Sequence, residues 1–213
     1  MIIAIDGPAG SGKTSIAKRL AKKLNMFYLD TGGTYRALTL KALEGDLDLK
    51  DEVALQAIAK NLNLKIEQDR IYLDGRDVSE KIRAPFIDKN ISKIVSYPKV
   101  REAMVSLQRR MAESGDFVVE GRDITTVVFP QSKFKFYLDA EFAVRVQRRF
   151  KELENKGVQI DFEELTDDLK RRDEADINRE VGALKQSPDA VYIDSTNLSL
   201  DEAAEKIVGY IRN

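Results

Sequence analysis

Neither cysteine nor histidine occurs anywhere in the 213 residues. The first absence removes disulfides, thiolate metal sites and cysteine nucleophiles, and leaves the redox compartment undetermined. The second removes imidazole acid–base chemistry, Ser-His-Asp triads and histidine metal ligation. Any catalysis must therefore run on carboxylates, lysine, arginine, hydroxyls, backbone amides or a bound ion. Net charge is nearly absent too: 35 basic residues stand against 36 acidic ones, for −1 overall. No global field recommends a nucleic acid or an anionic membrane as partner. The apolar opening, residues 2–5, is followed by charged residues, which argues against a signal peptide or a membrane span. A cytoplasmic protein is the expectation. The length allows one sizeable core, most simply one domain with an insertion.

What is present alternates between strand and helix patterns. Residues 1–6 read as a buried β-branched strand. After a glycine-rich turn, Ile16, Ala17, Leu20, Ala21 and Leu24 recur at the period of a helix starting at Lys13. Residues 27–29 predict a second strand, 30–33 a break, and 34–44 a helix. Residues 51–62 are helical by pattern, while 64–68 and 71–73 alternate around Asp69-Arg70 as a hairpin. Pro98 suits the first turn of a helix carrying Val100, Met104, Leu107 and Met111, with Gly115 placed to stop it. Strands are expected at 117–119, 134–138 and 191–193, with Asp139 capping a helix to about 155 and a closing helix over 200–211. Five short buried strands alternating with helices predict an α/β fold. Its parallel sheet is covered on both faces, with ligands beyond the carboxyl ends of the strands. Asp6, Asp30 and Glu120 stand at such ends, and each reads equally as a site residue or as a helix cap.

One motif is continuous. Gly7, Pro8, Ala9, Gly10, Ser11, Gly12, Lys13 and Thr14 spell G-x-x-x-x-G-K-[ST] between a strand and a helix. Glycines let the backbone wrap a phosphate, the helix N-terminus adds partial positive charge, Lys13 adds a full one, and Thr14 can hold Mg²⁺. The plainer alternative is a strand-to-helix turn with an exposed lysine. Asp30-Thr31-Gly32-Gly33 fits the loose D-x-x-G of GTPases, yet the guanine-reading N-K-x-D is missing, since residues 155–158 lack its carboxylate. Gly7, Gly10 and Gly12 are misspaced for the dinucleotide fingerprint. Phosphoryl transfer also needs cations around the moving group. Arg145, Arg148 and Arg149 share a helical face, and Arg171, Arg172 and Arg179 follow. Charge between 145 and 179 is nearly balanced. The stretch reads either as a solvated surface, with pairs such as Arg148 with Glu152 and Arg172 with Asp176, or as a closing lid.

Taken in order, Ile5-Asp6-Gly7-Pro8-Ala9-Gly10-Ser11-Gly12-Lys13, Asp30-Thr31-Gly32 with Tyr35-Arg36-Ala37, Gly121-Arg122-Asp123 with Thr126-Val127-Val128-Phe129-Pro130, and Arg172-Asp173 with Asp176 and Asn178-Arg179 closely resemble bacterial cytidylate kinases. The likeness runs over essentially the whole chain. It implies a three-layer P-loop NTPase fold with a five-stranded parallel sheet, an inserted β-containing monophosphate-binding subdomain and a helical lid. The implied division is a core of 1–33, 98–145 and 180–213, an insert of 34–97 and a lid of 146–179. It also implies transfer of the ATP γ-phosphoryl group to CMP and dCMP. Residues 7–14 would take the ATP phosphates, with Mg²⁺ held by Thr14 and mostly through ATP and water. Arg36 and Arg122 would grip the acceptor phosphate, beside Thr31 and Tyr35. Ser92, Arg101 and Asp123 would read cytosine, and Asp176, supported by Arg172, would meet the ribose. Lys13, Arg122, Arg145, Arg149 and Arg179 would surround the transferring group. From the residues alone, Ser92 and Arg101 read as exposed helix surface. The partners expected are these nucleotides, without nucleic acid or membrane, for a monomer. Another small-molecule kinase or an ATP-binding regulatory module on the same frame remains open. Thr125 departs from the family, where Gly is common, as do Thr34 (a larger apolar residue), Thr31 (Ser) and Glu120 (Asp).

Overall fold

A computed structural model describes residues 1–67, 70–155 and 157–212. Gln68 and Asp69, expected in the hairpin, lie outside them, as does Lys156. In chain order the elements are β1 (Ile2–Asp6), α1 (Lys13–Leu24), β2 (Phe27–Asp30), α2 (Thr31–Glu44), α3 (Glu52–Lys60), β3 (Leu64–Glu67), β4 (Arg70–Leu73) and β5 (Arg76–Asp77). Then follow α4 (Pro85–Ser96), α5 (Pro98–Met111), β6 (Phe117–Gly121), β7 (Phe134–Asp139), α6 (Phe142–Asn155), α7 (Phe162–Ile177), β8 (Val191–Asp194) and α8 (Leu200–Arg212). The chain has an α/β fold whose five-stranded sheet runs β2-β6-β1-β7-β8. It divides into two compact units, Met1–Met26 with Val118–Asn213, and Phe27–Phe117.

In the first unit, β1 runs parallel to β7, with Ile3 opposite Phe134 and Asp6 opposite Tyr137, and β7 runs parallel to β8. Ile3, Ala4 and Ile5 are wholly buried, as a continuous β-branched strand inside a parallel sheet requires. α1 buries Ile16, Ala17, Leu20 and Ala21 and ends on Asn25 in the left-handed region, φ 52°, a helix-terminating role in which Asn is tolerated. Expectation and structure part in two places. α6 begins at Phe142, so Asp139 does not cap it; the carboxylate accepts instead from the N–H of Ala140. Residues 124–128, unassigned in the sequence, form a π-helical turn.

The second unit carries its own core, which includes Leu38, Leu55, Leu73, Ile82, Ile94 and Met104. The expected break at 30–33 is the first turn of α2: the Asp30 carboxylate accepts from the N–H of Gly33 at 2.8 Å. One side-chain acceptor outweighs two poor helix formers because it satisfies an otherwise orphaned amide. The hairpin gains a third strand, β5, in the antiparallel order β3-β4-β5. α4 was not expected; Pro85 sits in its first turn, as Pro98 does in α5, where a missing N–H costs nothing.

Gly7 joins β1 to the loop at a point where main chains nearly touch, and a Cβ there would lie 2.0 Å from the Leu138 carbonyl oxygen. Gly7→Ala should lower unfolding free energy by about 3 kcal/mol, since the obstacle is backbone and β7 must shift. Urea titration of the two proteins measures this.

Candidate active site

The loop between β1 and α1 is built on conformations that side chains resist. Gly10 has φ 76°, and a Cβ on it would meet the Arg145 carbonyl oxygen at 2.8 Å. Lys13 opens α1 and is only 6% exposed; its Nζ donates to the Pro8 carbonyl at 2.8 Å. The exposed-lysine alternative therefore does not hold. Burial pulls the Lys13 ammonium down to about 7, with the nearby Arg122 and Arg172 charges adding to the drop and Glu120 and Asp176 opposing it. Thr14 follows, half-buried. From the far end of the chain, the Ser195 hydroxyl donates to the Ser11 carbonyl at 3.0 Å, and Arg148 donates to Ser195 Oγ at 3.0 Å and its carbonyl at 2.6 Å.

Beyond β6 the chain carries Arg122 and the buried Asp123. Arg122 Nε donates to Asp176 Oδ2 at 2.6 Å, and Arg179 donates to the other oxygen at 2.5 Å. Burial alone would raise the Asp176 carboxyl, but Arg122, Arg179 and Arg172 outweigh it and hold it below the usual carboxylate range. Asp6, fully buried, accepts from the N–H groups of Ile124 and Thr125 and from the Thr125 hydroxyl, at 2.8, 2.7 and 2.6 Å. Burial still pushes its carboxyl up to about 6, against those hydrogen bonds.

The arginines of α6 divide. Arg145 is buried and donates to the carbonyls of Ala140 and Ala9 and to Asp173 Oδ2, at 3.1, 2.9 and 2.6 Å. Arg149 pairs with Glu152 at 2.8 Å. The Arg148–Glu152 pair of the solvated-surface reading does not form, because Arg148 turns to Ser195. Arg172 is exposed on α7.

The second unit holds the other expected residues. Arg36 Nη2 lies 2.6 Å from Asp88, and Nη1 donates to the Ile82 carbonyl at 3.3 Å. Tyr35 is buried beneath the Arg101 guanidinium, 5.5 Å from its ring centroid. Arg101 is 2% exposed, which overturns its reading as surface, whereas Ser92 is exposed on α4. Thr31 is buried and its carbonyl accepts from the Thr34 hydroxyl at 2.7 Å; Gln108, absent from the expected set, donates to that hydroxyl at 2.9 Å. Asp30 caps α2 and lies 3.6 Å from Arg83.

Among the described residues no three acidic side chains converge as a metal site. The first unit instead gathers cations beside loop amides, an arrangement that can bind polyanionic phosphate and neutralise charge during its transfer. No described helix is long and apolar enough to cross a membrane.

A family model described as "Cytidylate kinase" matches residues 3–213. A cytidylate kinase of Caldanaerobacter subterraneus subsp. tengcongensis is 44% identical over 210 residues, covering 99% of this chain and 94% of that protein. One from Clostridium botulinum (strain Langeland) is 43% identical, covering 99% and 97%. Among solved structures, an uncharacterized protein from Eubacterium ventriosum shares the fold with a TM-score of 0.56 at 16% identity, covering 100% of this chain and 99% of that one.

The partners of the two α6 arginines predict opposite outcomes. Arg145→Ala strands a buried carboxylate and two carbonyls and should cost about 3 kcal/mol. Arg149→Ala, at an exposed pair, should stay within about 0.5 kcal/mol. Chemical denaturation of both variants checks the contrast.

Proposed function

The chain belongs to the cytidylate kinase family, and from that membership we propose how its residues carry the transfer of the γ-phosphoryl group from ATP to CMP, giving ADP and CDP. The observation that carries the proposal is the buried Lys13 ammonium, set among Arg122, Arg172, Glu120 and Asp176. An amine half-neutral near pH 7 regains its charge when a polyanion arrives. The amides and glycines of 7–14 cradle the ATP phosphates, and Lys13 reaches toward the γ-phosphate. Mg²⁺ fits this donor set through the Thr14 hydroxyl, phosphate oxygens and water, and when bound it neutralises phosphate charge.

Arg122 and Arg36 each bind the acceptor phosphate in this reading, with Thr31 and Tyr35 beside Arg36. Asp123, Arg101 and Ser92 select cytosine. Ring N3 and O2 accept hydrogen bonds while the exocyclic amine donates, so guanidinium and carboxylate together distinguish it from uracil. Asp176 takes the ribose hydroxyls, and dCMP serves as a second acceptor. Arg149, Arg172 and Arg179 close around the transferring group from residues 146–179, the lid, which excludes water. Arg145 acts through the loop, because its donors are directed to Ala9, Ala140 and Asp173. Residues 34–97 form the monophosphate-binding insert on the core of 1–33, 98–145 and 180–213. No general base is required, since a phosphate monoester is largely ionised near neutrality. The protein works as a cytoplasmic monomer, with neither nucleic acid nor membrane as partner.

A coupled assay with CMP, dCMP, UMP, AMP and shikimate tests the assignment. CMP should give the highest kcat/KM, and preference for UMP or AMP would remove the cytosine roles of Ser92, Arg101 and Asp123. Lys13→Ala should lose at least about a hundredfold in kcat. Because Lys13 is held near 7, ATP binding at pH 8 should take up close to one proton, roughly the free amine's neutral fraction. Calorimetry in buffers of different ionisation enthalpy reads the uptake, and Lys13→Ala should abolish it.

A further inference from the structure

The Asp6 carboxylate ends β1 with no exposure, and the three donors that meet it all come from Ile124 and Thr125. These residues begin the π-helical turn directly after Arg122 and Asp123. The turn closes on itself through the Asp123 carbonyl, which accepts from the N–H groups of Val127 and Val128 at 2.8 and 3.0 Å. Its first two amides would be orphans without an acceptor from another element, and β1 supplies that acceptor. Thr125, 1% exposed, adds a hydroxyl to the same oxygen its amide uses.

We propose that Thr125 is a positioning residue for the transfer reaction: its hydroxyl and amide fix the Asp6 carboxylate, which in turn orients the segment presenting Arg122 and Asp123 to the acceptor nucleotide. The inference rests on the kinase reading above and adds a residue outside that reading's set. Two properties support it. The carboxylate closes β1 with its bonds directed to Ile124 and Thr125 rather than into the phosphate loop, so a single buried anion holds the turn that directly follows Arg122 and Asp123. Its charge is also delicately held: burial pushes Asp6 up to about 6, hydrogen bonds from Thr125 and Ile124 pull it down, and the negative charge of Asp123 adds to the rise. Tyr137, its partner across β7, is itself raised to about 12 and stays neutral. Removing the hydroxyl takes away a pull toward the charged form.

Thr125→Val keeps the shape and deletes the donor; Thr125→Ser keeps the donor; Thr125→Ala replaces the valine variant if that one fails to fold. Relative to wild type, the valine or alanine variant should lose roughly tenfold in kcat/KM for CMP, as expected for one charged hydrogen bond, with KM for ATP within about twofold. Its acid limb of kcat/KM should move to higher pH. CMP's own phosphate titration is common to all variants and drops out of the difference. Thr125→Ser should restore both values. An active wild type whose valine and alanine variants keep normal kcat/KM for CMP, or lose CMP and ATP parameters equally, or are matched by the serine variant's loss, overturns this proposal alone. A wild-type chain that leaves CMP unphosphorylated overturns the functional reading together with it.

Discussion

A lysine ammonium taken out of water beside two guanidiniums is the constraint around which the first unit is organised. Lys13 cannot keep its full charge there; it is tolerated because Glu120 and Asp176 return part of the lost solvation. Those carboxylates are in turn acceptable in a buried setting only because cations surround them. Arg122 joins the two sets through its 2.6 Å bond to Asp176. The cluster therefore carries more positive charge than those two carboxylates cancel. Lysine, arginine and carboxylates are the ionisable groups this chain gathers there in the absence of histidine.

The elements that could be read from sequence were those whose signal is local. β1 is too short and too branched to be a helix, α1 repeats every 3.6 residues, and Pro98 marks its helix by what it lacks. The phosphate loop was legible because eight adjacent residues carry it. What escaped had a local signal too weak or too ambiguous to read, or a partner distant in the chain. The start of α2 depends on a single Asp30–Gly33 hydrogen bond, which overrode the glycine pair. α4 places Ile87 and Ile94 in the core, but β-branched residues speak for strand as readily as helix. β5 has two residues, too few for any period.

Among the site residues the same division holds. Arg101 sits in a charged stretch that argues for surface, yet its helix turns it over the Tyr35 ring, and only the fold could say so. The buried Thr34 hydroxyl accepts from Gln108, 74 positions away, a partner no local pattern announces. Asp6 was visible as a strand-end acid that read equally as a site residue or a cap. It caps the turn that directly follows Arg122 and Asp123. A pair between Arg148 and Glu152 was one reading of α6; the carbonyls after β8 compete better because a backbone acceptor, unlike a glutamate, has no side-chain entropy of its own to lose.

The bridge from Ser195 to the Ser11 carbonyl spans 184 positions, and with Arg19 against Asp201 it ties the opening of the chain to its last helix. Bracing of the loop is therefore a contact of very high sequence separation, the kind that slows folding relative to pairings between neighbours in the chain.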